Sequence, residues 1–218
     1  MASDISSRVK SILAAIPPSV TLVAATKGRS IGEIEEAVSA GVRIIGENYL
    51  REAEEKHPLL PGGVAIHFIG HLQKNKVKKA LDVCSLIETV DSAGLALEIS
   101  RRAGNRTLPV LLEVNSGREP QKNGVMPENL LPLLEEIGLL PGISVKGLMT
   151  MGPLVENPEE MRPFFRLTRE LFEECRNHGQ AGAGMEYLSM GMSDTWRVAV
   201  EEGATIIRVG TEIFGPRE

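Results

Sequence analysis

The sequence predicts a single closed (β/α)8 barrel of the TIM type, with an extra N-terminal helix and no second β domain. Three observations predict it. Short β-type runs alternate with amphipathic helical stretches along the chain, and such alternation means parallel strands with crossover helices. There are eight such runs, the number that closes a barrel. Only residues 211–218 follow the last run, so a full eighth helix is missing there. A helix ahead of the first strand fits that gap in the outer ring. An open doubly wound sheet is the competing arrangement, and counting elements alone does not separate the two.

Residues 4–16 form the extra helix: Ile5, Val9, Ile12, Leu13 and Ile16 recur at helical spacing. Asp4, Arg8 and Lys10 interrupt the apolar stretch, so this is no signal peptide. The strands are read at 21–26, 43–46, 65–69, 85–90, 109–115, 144–150, 187–190 and 205–210. Among the helices between them, 31–40 places Ile34, Ala37 and Val38 on one face. Residues 72–81 and 161–176 follow the same periodicity. Residues 127–137 begin with Pro127 at a favourable first helical position. The loosest stretch is HGQAGAG at 178–184, read as a loop before the seventh strand.

The 218 residues are read as one domain, 1–218, because 42% hydrophobic content supplies one substantial core. A net charge of −5 argues against a nucleic-acid partner. No apolar run is long enough to span a bilayer, so no membrane partner is expected. Cys84 and Cys175 form no CxxC pair, which points to a reduced, cytoplasmic setting and no zinc site.

Ligands bind at the C-terminal ends of strands in barrels and open α/β sheets alike. Those ends carry Lys27, Glu47-Asn48, Gly70-His71, Asp91, Asn115-Ser116, Met149-Thr150, residues 189–193 and residues 208–211. After the seventh strand, Gly191 permits a tight turn and Ser193 is placed to cap the following helix. After the eighth, Gly210 permits close backbone approach and Thr211 adds a hydroxyl. Barrels often hold a phosphate between these two loops, where helix N-termini offer free N–H groups. The alternative is an ordinary capped helix and a glycine turn.

Lys27 ends a small-apolar strand, VAATKG, and continues the face of Thr21, Val23 and Ala25. Inside a barrel mouth its amine is expected to be desolvated, hence a nucleophile towards a carbonyl. The bland reading is a strand-end lysine that reaches solvent. Lys146 is a rival, but it sits near the start of its strand. Arg208 lies in the apolar run Ile206-Ile207-Arg208-Val209 and needs a partner. That partner is either a carboxylate such as Glu212 or Glu113, or a ring nitrogen of a bound cofactor. Lysine, phosphate cradle and buried cation together describe a pyridoxal 5′-phosphate site.

The residues ATKG (25–28), GENYLREAEEK (46–56), HFIGHLQKNK (67–76), EVNSGREPQKNGV (113–125), GLMTM (147–151), YLSMGMSDTWRVAVEEGAT (187–205) and RVGTEIFG (208–215) carry a family resemblance. The chain resembles the pyridoxal-phosphate homeostasis proteins, whose barrel is similar to the N-terminal domain of alanine racemase. The resemblance implies a Schiff base on Lys27. It implies a phosphate site of Ser189, Met190, Gly191, Met192 and Ser193 with Gly210 and Thr211. It places Arg208 at the pyridine nitrogen, and Asn48 and Met149 near the ring. Ala25-Thr26 stand where family members often carry serine, a conservative difference.

An arginine at the ring nitrogen keeps that nitrogen unprotonated and weakens the cofactor as an electron sink. Racemisation also needs an acid–base group on each face of the substrate. Lys27 serves one face. In alanine racemase the other is a tyrosine contributed by the partner subunit's second domain. Tyr49 and Tyr187 are the tyrosines of this chain. The expectation is a monomeric carrier without strong turnover that takes part in vitamin B6 and amino-acid homeostasis and exchanges cofactor with pyridoxal-phosphate-dependent apo-enzymes. The alternatives are a racemase of low activity and an aldolase using Lys27 without a cofactor. Lys74, Lys76, Lys78 and Lys79 are read as a solvated basic face. His67 and His71 straddle a strand end and do not form a metal pair; His67 is read as a hydrogen-bonded core residue.

Overall fold

The computed structural model describes residues 4–182 and 184–216. Eight parallel strands close into a barrel in sequence order. They are β1 (Thr21–Ala25), β2 (Ile44–Glu47), β3 (Ala65–Phe68), β4 (Leu86–Val90), β5 (Leu108–Glu113), β6 (Ile143–Met149), β7 (Tyr187–Ser189) and β8 (Ile206–Val209). Val23 closes the ring, pairing with Ile44 of β2 on one side and Arg208 of β8 on the other. The closed barrel is therefore the arrangement, and the open sheet is not.

The helices are α1 (Asp4–Ala15), α2 (Ile31–Ser39), α3 (Leu50–Lys56), α4 (Val77–Val83), α5 (Ala93–Ala103), α6 (Leu130–Ile137), α7 (Arg162–Arg176), α8 (Trp196–Glu201) and the single turn α9 (Thr211–Phe214). Helix α1 buries Val9 and Ile12 and packs on both α2 and α9. It occupies the place in the outer ring that the short α9 leaves. Helix α2 starts at a capping box, with the Ser30 hydroxyl accepting from the Glu33 amide and the Glu33 carboxylate accepting from the Ser30 amide.

Two helices begin later than their periodicity suggests. Residues 74–76 form a 3₁₀ turn ahead of α4, and Pro127–Asn129 another ahead of α6. Pro132 explains the second case. Lacking an N–H, it cannot bond back four residues, so it is tolerated only in the first turn of the helix that starts at Leu130. The loop before β7 is made of turns, as its glycines suggest; Ala183 within it lies outside the described residues.

Strand alternation sorts the core into two parts. The large part lies between the outer face of the sheet and the helices, with Ile34, Ile45, Ile66, Ile99, Leu134 and Phe165 fully buried. Each such side chain stabilises the fold by roughly 1.5–3 kcal/mol. The small part fills the lumen with Val23, Leu86, Leu111, Met149 and Ile206. Gly147 lets β7 close on β6, since a Cβ there would lie 1.7 Å from the Tyr187 carbonyl oxygen. Above the lumen's apolar layer, interior positions turn polar: Glu88, Glu113, Ser189 and Arg208 are all buried. An expensive set of groups has been collected under the barrel's C-terminal mouth.

Candidate functional site

Because Val23 points into the lumen, Ala25 and Lys27 follow on the same side. Lys27 lines a mouth cavity of about 290 Å³ with Asn48, Met192, Ser193, Arg208, Gly210 and Thr211. The sequence reading expects a desolvated amine. Instead Lys27 is half-buried, its ammonium 4.6 Å from the centroid of the Tyr49 ring. The strand end that carries it is tightly held. The Gly28 amide donates to Glu52 (2.7 Å), and the buried Lys56 ammonium donates to the Thr26 carbonyl (2.7 Å), Glu47 (2.7 Å) and Glu52 (2.8 Å). Lys56 thus fixes the backbone that aims Lys27.

The phosphate-type turn is present but built differently from the sequence reading. Ser193 does not cap the following helix; α8 starts at Trp196 with Thr195 ahead of it, and the Thr195 hydroxyl accepts from the Met192 amide (3.1 Å). The Ser193 hydroxyl turns the other way. It accepts from the Gly210 amide (3.3 Å) and the Glu212 amide (3.2 Å) at the start of α9. Two loops therefore converge on one hydroxyl, with backbone N–H groups beside it. Gly191 has φ +91°, and a Cβ there would lie 2.6 Å from Ala199 Cβ and 2.8 Å from Trp196 Cα. No other residue lets this loop approach α8 so closely.

Four residues of the expected cofactor set, Met149, Ser189, Met190 and Gly191, do not line the mouth cavity. Met190 packs into the outer core between sheet and helices, and only Met192 of that pair faces the cavity. Met149 lies in the apolar lumen layer, and Met151 takes the mouth position. Ser189 is fully buried beneath Arg208. Gly191 acts through its backbone alone, its carbonyl accepting from the Arg208 amide (3.0 Å). The sequence reading missed Ala25, Ile69 and Asp194 in the cavity wall.

Arg208 does not pair with Glu212 or hydrogen-bond Glu113, the carboxylates its sequence context suggests. Glu212 accepts from Trp196 Nε1 (2.6 Å) and Arg197 (3.3 Å) instead. The guanidinium donates to the Ser189 hydroxyl (2.7 Å), the Thr150 carbonyl (2.8 Å) and the Met151 sulfur (3.4 Å). The Ser189 hydroxyl donates to Glu88 (2.6 Å), whose other oxygen bonds His67 Nδ1 (2.7 Å). Burial alone would raise the Glu88 carboxyl. The His67 bond and charge, the Arg208 charge and the Ser189 bond outweigh it and hold Glu88 below its ordinary value. An ionised glutamate thus balances the arginine inside the barrel. His67 is a buried, hydrogen-bonded residue, as its strand position suggests.

At the opposite end of the barrel, Lys146 pairs with Glu186 (2.9 Å) and lines a separate cavity with His67 and Tyr187. It is remote from the mouth, as expected for the start of its strand. In the 74–79 segment, Lys79 pairs with Glu54 (2.9 Å) and is well exposed. Among the described residues, no helix is long and apolar enough to cross a membrane.

The mouth fits an anionic aldehyde on the structure's own terms. It offers a primary amine, a turn where a hydroxyl and the first amides of α9 meet, and a buried guanidinium within one cavity.

Comparison with known proteins agrees with this arrangement. The family model described as alanine racemase, N-terminal domain, matches residues 2–218. A pyridoxal phosphate homeostasis protein of Aquifex aeolicus is 45% identical over 188 residues, covering 85% of this chain and 82% of the relative. The structure of PipY from Synechococcus elongatus with PLP bound superposes with a TM-score of 0.90 at 36% identity, covering 97% of this chain and 100% of that one. An alanine racemase of Clostridium difficile shares the fold, with a TM-score of 0.81 at 14% identity over 98% of this chain and 60% of that one. The chain belongs to the alanine racemase N-terminal domain family, among the pyridoxal phosphate homeostasis proteins.

Proposed function

We propose that this chain binds pyridoxal 5′-phosphate at the barrel mouth and takes part in vitamin B6 and amino-acid homeostasis, without strong turnover of its own. The observation that carries the reading is the shared cavity of Lys27, Ser193, Arg208 and Gly210. The PLP-bound PipY structure and the names of the curated relatives support it. When bound, pyridoxal phosphate supplies an aldehyde and a conjugated ring able to accept electrons.

The protein's part is to bind and orient. Lys27 offers the amine that holds the aldehyde. The Ser193 and Thr211 hydroxyls would receive the phosphate at the start of α9, whose Gly210 and Glu212 amides hold Ser193 in place. Arg208 would face the ring nitrogen and, being permanently charged, would not give it a proton. Glu88 and Ser189 keep that guanidinium in place. Asn48, Met151 and Met192 would bound the ring. We read the protein as a cytoplasmic monomer that exchanges the cofactor with apo-enzymes.

The test is the visible spectrum of the purified protein with pyridoxal phosphate, followed by borohydride reduction and peptide mapping. A yellow protein that traps the cofactor on Lys27 is expected. A colourless protein, or trapping on Lys146 or within 74–79, would overturn the reading.

One observation favours a second reading, a low-activity amino-acid racemase. Tyr49 stands at the mouth with its ring 4.6 Å from the Lys27 ammonium, and it would serve as the second acid–base group if its hydroxyl reached the substrate face opposite Lys27. Racemisation of L-amino acids that disappears in both Lys27→Ala and Tyr49→Phe would establish it.

A further inference from the structure

Next to the mouth lies a second cavity of about 420 Å³, and the two share Asn48, Ile69, Met151 and Met192 as common walls. Its floor holds Glu113, the last residue of β5, on the same interior face as Leu111. Glu113 is 8% exposed and lines the cavity. Among the described residues its carboxyl group has no hydrogen-bond partner. Several other polar groups of the wall are engaged within the protein, whereas the Asn48, His71 and Asn123 side chains, among the described residues, are not. The Thr89 hydroxyl donates to the Gly70 carbonyl (2.6 Å), Ser116 bonds Thr150 (2.8 Å), and the Asn115 side chain bonds Glu119 in both directions. Lys122 at the rim is held by Glu119 (2.5 Å) and the Gly152 carbonyl (3.0 Å).

Glu113 is thus largely buried, yet its carboxyl oxygens reach the cavity, so the group is an acceptor open to a ligand there and costly to leave poorly solvated. The charges around it define what would complement it. Asp91 from the loop after β4 adds negative potential at Glu113. Arg208 from β8 adds positive potential, but its guanidinium is bonded to Ser189, Thr150 and Met151. Of the remaining titratable groups in the cavity wall, His71 stands in the turn after β3 and Lys122 is engaged as described. The position therefore lacks a cation with hydrogens to donate, next to an apolar wall of Ile69, Met151 and Met192.

We infer that this cavity is a binding subsite for a small primary amine, its ammonium donating to Glu113 and its carbon chain lying against Ile69, Met151 and Met192. The subsite opens onto the cavity of Lys27. In its consequence the inference rests on the proposed function, since an amine held there stands beside the aldehyde that Lys27 would carry. Burial, with Asp91 adding to it and Arg208 opposing, pushes the Glu113 carboxyl up to about 7. An arriving ammonium would lower it again, so binding on the acid side of neutrality releases a proton.

The experiment is calorimetric titration of the cofactor-free protein with n-butylamine hydrochloride, with 1-butanol and sodium butyrate as probes of the same length. Saturable binding of the amine alone is expected. At about pH 6, titration in two buffers of different ionisation enthalpy should show proton release that fades at higher pH. Glu113→Gln should weaken binding at least about tenfold, as expected for loss of a charged hydrogen-bond acceptor. Its folding is checked by thermal melting and by borohydride trapping of the cofactor, both of which should be retained. Glu113→Asp keeps the charge and should bind measurably better than Glu113→Gln.

Equal binding of butylamine by Glu113→Gln, or equal binding of butanol and butylamine, would overturn the subsite. The carrier reading fails separately. Amine binding that survives in Lys27→Ala supports the subsite whether or not the cofactor is trapped. Trapping on Lys27 without amine binding leaves the carrier reading standing and removes the subsite.

Discussion

Arg208 and Glu88 face each other at 4.0 Å inside the barrel, with the Ser189 hydroxyl bonded to both. Each is nearly inaccessible to solvent. The pair therefore answers the question that an arginine in an apolar strand raises: a guanidinium can be kept dry because an ionised carboxylate is held beside it. The arrangement also fixes the guanidinium's direction, since its other bonds run to the Thr150 carbonyl and the Met151 sulfur at the mouth. Removing Glu88 should therefore cost both stability and aim.

Glu88→Ala leaves the buried Arg208 charge without its nearest counter-ion. Breaking a buried pair in this way costs about 3–5 kcal/mol. For a chain of this size each kcal/mol lowers the melting temperature by roughly 2–4 °C, so a fall on the order of 10 °C is expected. Circular dichroism melts measure it directly. A melting temperature within a degree or two of the parent would show that the pair does not hold the barrel together.

These internal partners were not readable from the sequence, and the reason is physical. Glu88 bonds His67 and Ser189, which come from β3 and β7, so closure of the barrel brings them together. Strand alternation gives the face of a residue but not its height in the lumen. Lys27 and Arg208 were legible because a lone cation near the end of an apolar strand stands out; that both face the lumen follows only from the closed barrel, where Val23 pairs with Arg208. The family resemblance puts Met149 near the ring; Met149 is the last residue of β6 in the lumen layer, and Met151, two residues on, reaches the mouth. Ser193 was legible as part of the turn but not as to which loop it serves. Its hydroxyl meets the amides of the eighth loop, a tertiary contact that local capping rules do not contain.

Gly191 is the backbone position on which the mouth depends. Gly191→Ala would place a Cβ 2.6 Å from Ala199 Cβ in a conformation that side chains rarely adopt. The strain and the clash together should destabilise the protein by ~2 kcal/mol or more. Cofactor affinity should fall with it, because the shifted loop carries Met192 and Ser193. Thermal melts and spectroscopic titration with pyridoxal phosphate test both effects. A variant that melts like the parent would mean the loop relaxes away from α8 at little cost.

Lys27 and Lys146 separate the two ends of the barrel. Lys27→Ala should reduce borohydride trapping of the cofactor to background, while Lys146→Ala, whose ammonium is paired with Glu186 at the far end, should trap like the parent. Mass spectrometry of the reduced proteins reads the outcome. Trapping that survives in Lys27→Ala and is lost in Lys146→Ala would move the site to the wrong end of the barrel.

Glu113 gives the protein a pH dependence of unusual sign for a carboxylate. Its folded-state value, about 7, lies above the ordinary 4.5. Between these two values the folded protein keeps the proton and the unfolded chain releases it, so the folded state binds more protons there. Stability contributed by the neutral carboxyl group is thus fully present below about pH 4.5 and is lost as pH rises to about 7, to a total on the order of 3 kcal/mol. Glu113→Gln keeps the shape of the protonated form without the titration. The variant should melt close to the parent at about pH 5 and clearly above it at about pH 8. Melting curves of both proteins across that range decide the matter. A gap between them that does not widen with pH would show that Glu113 is ionised in the folded protein at an ordinary pH, and that its burial is compensated by a contact formed in solution.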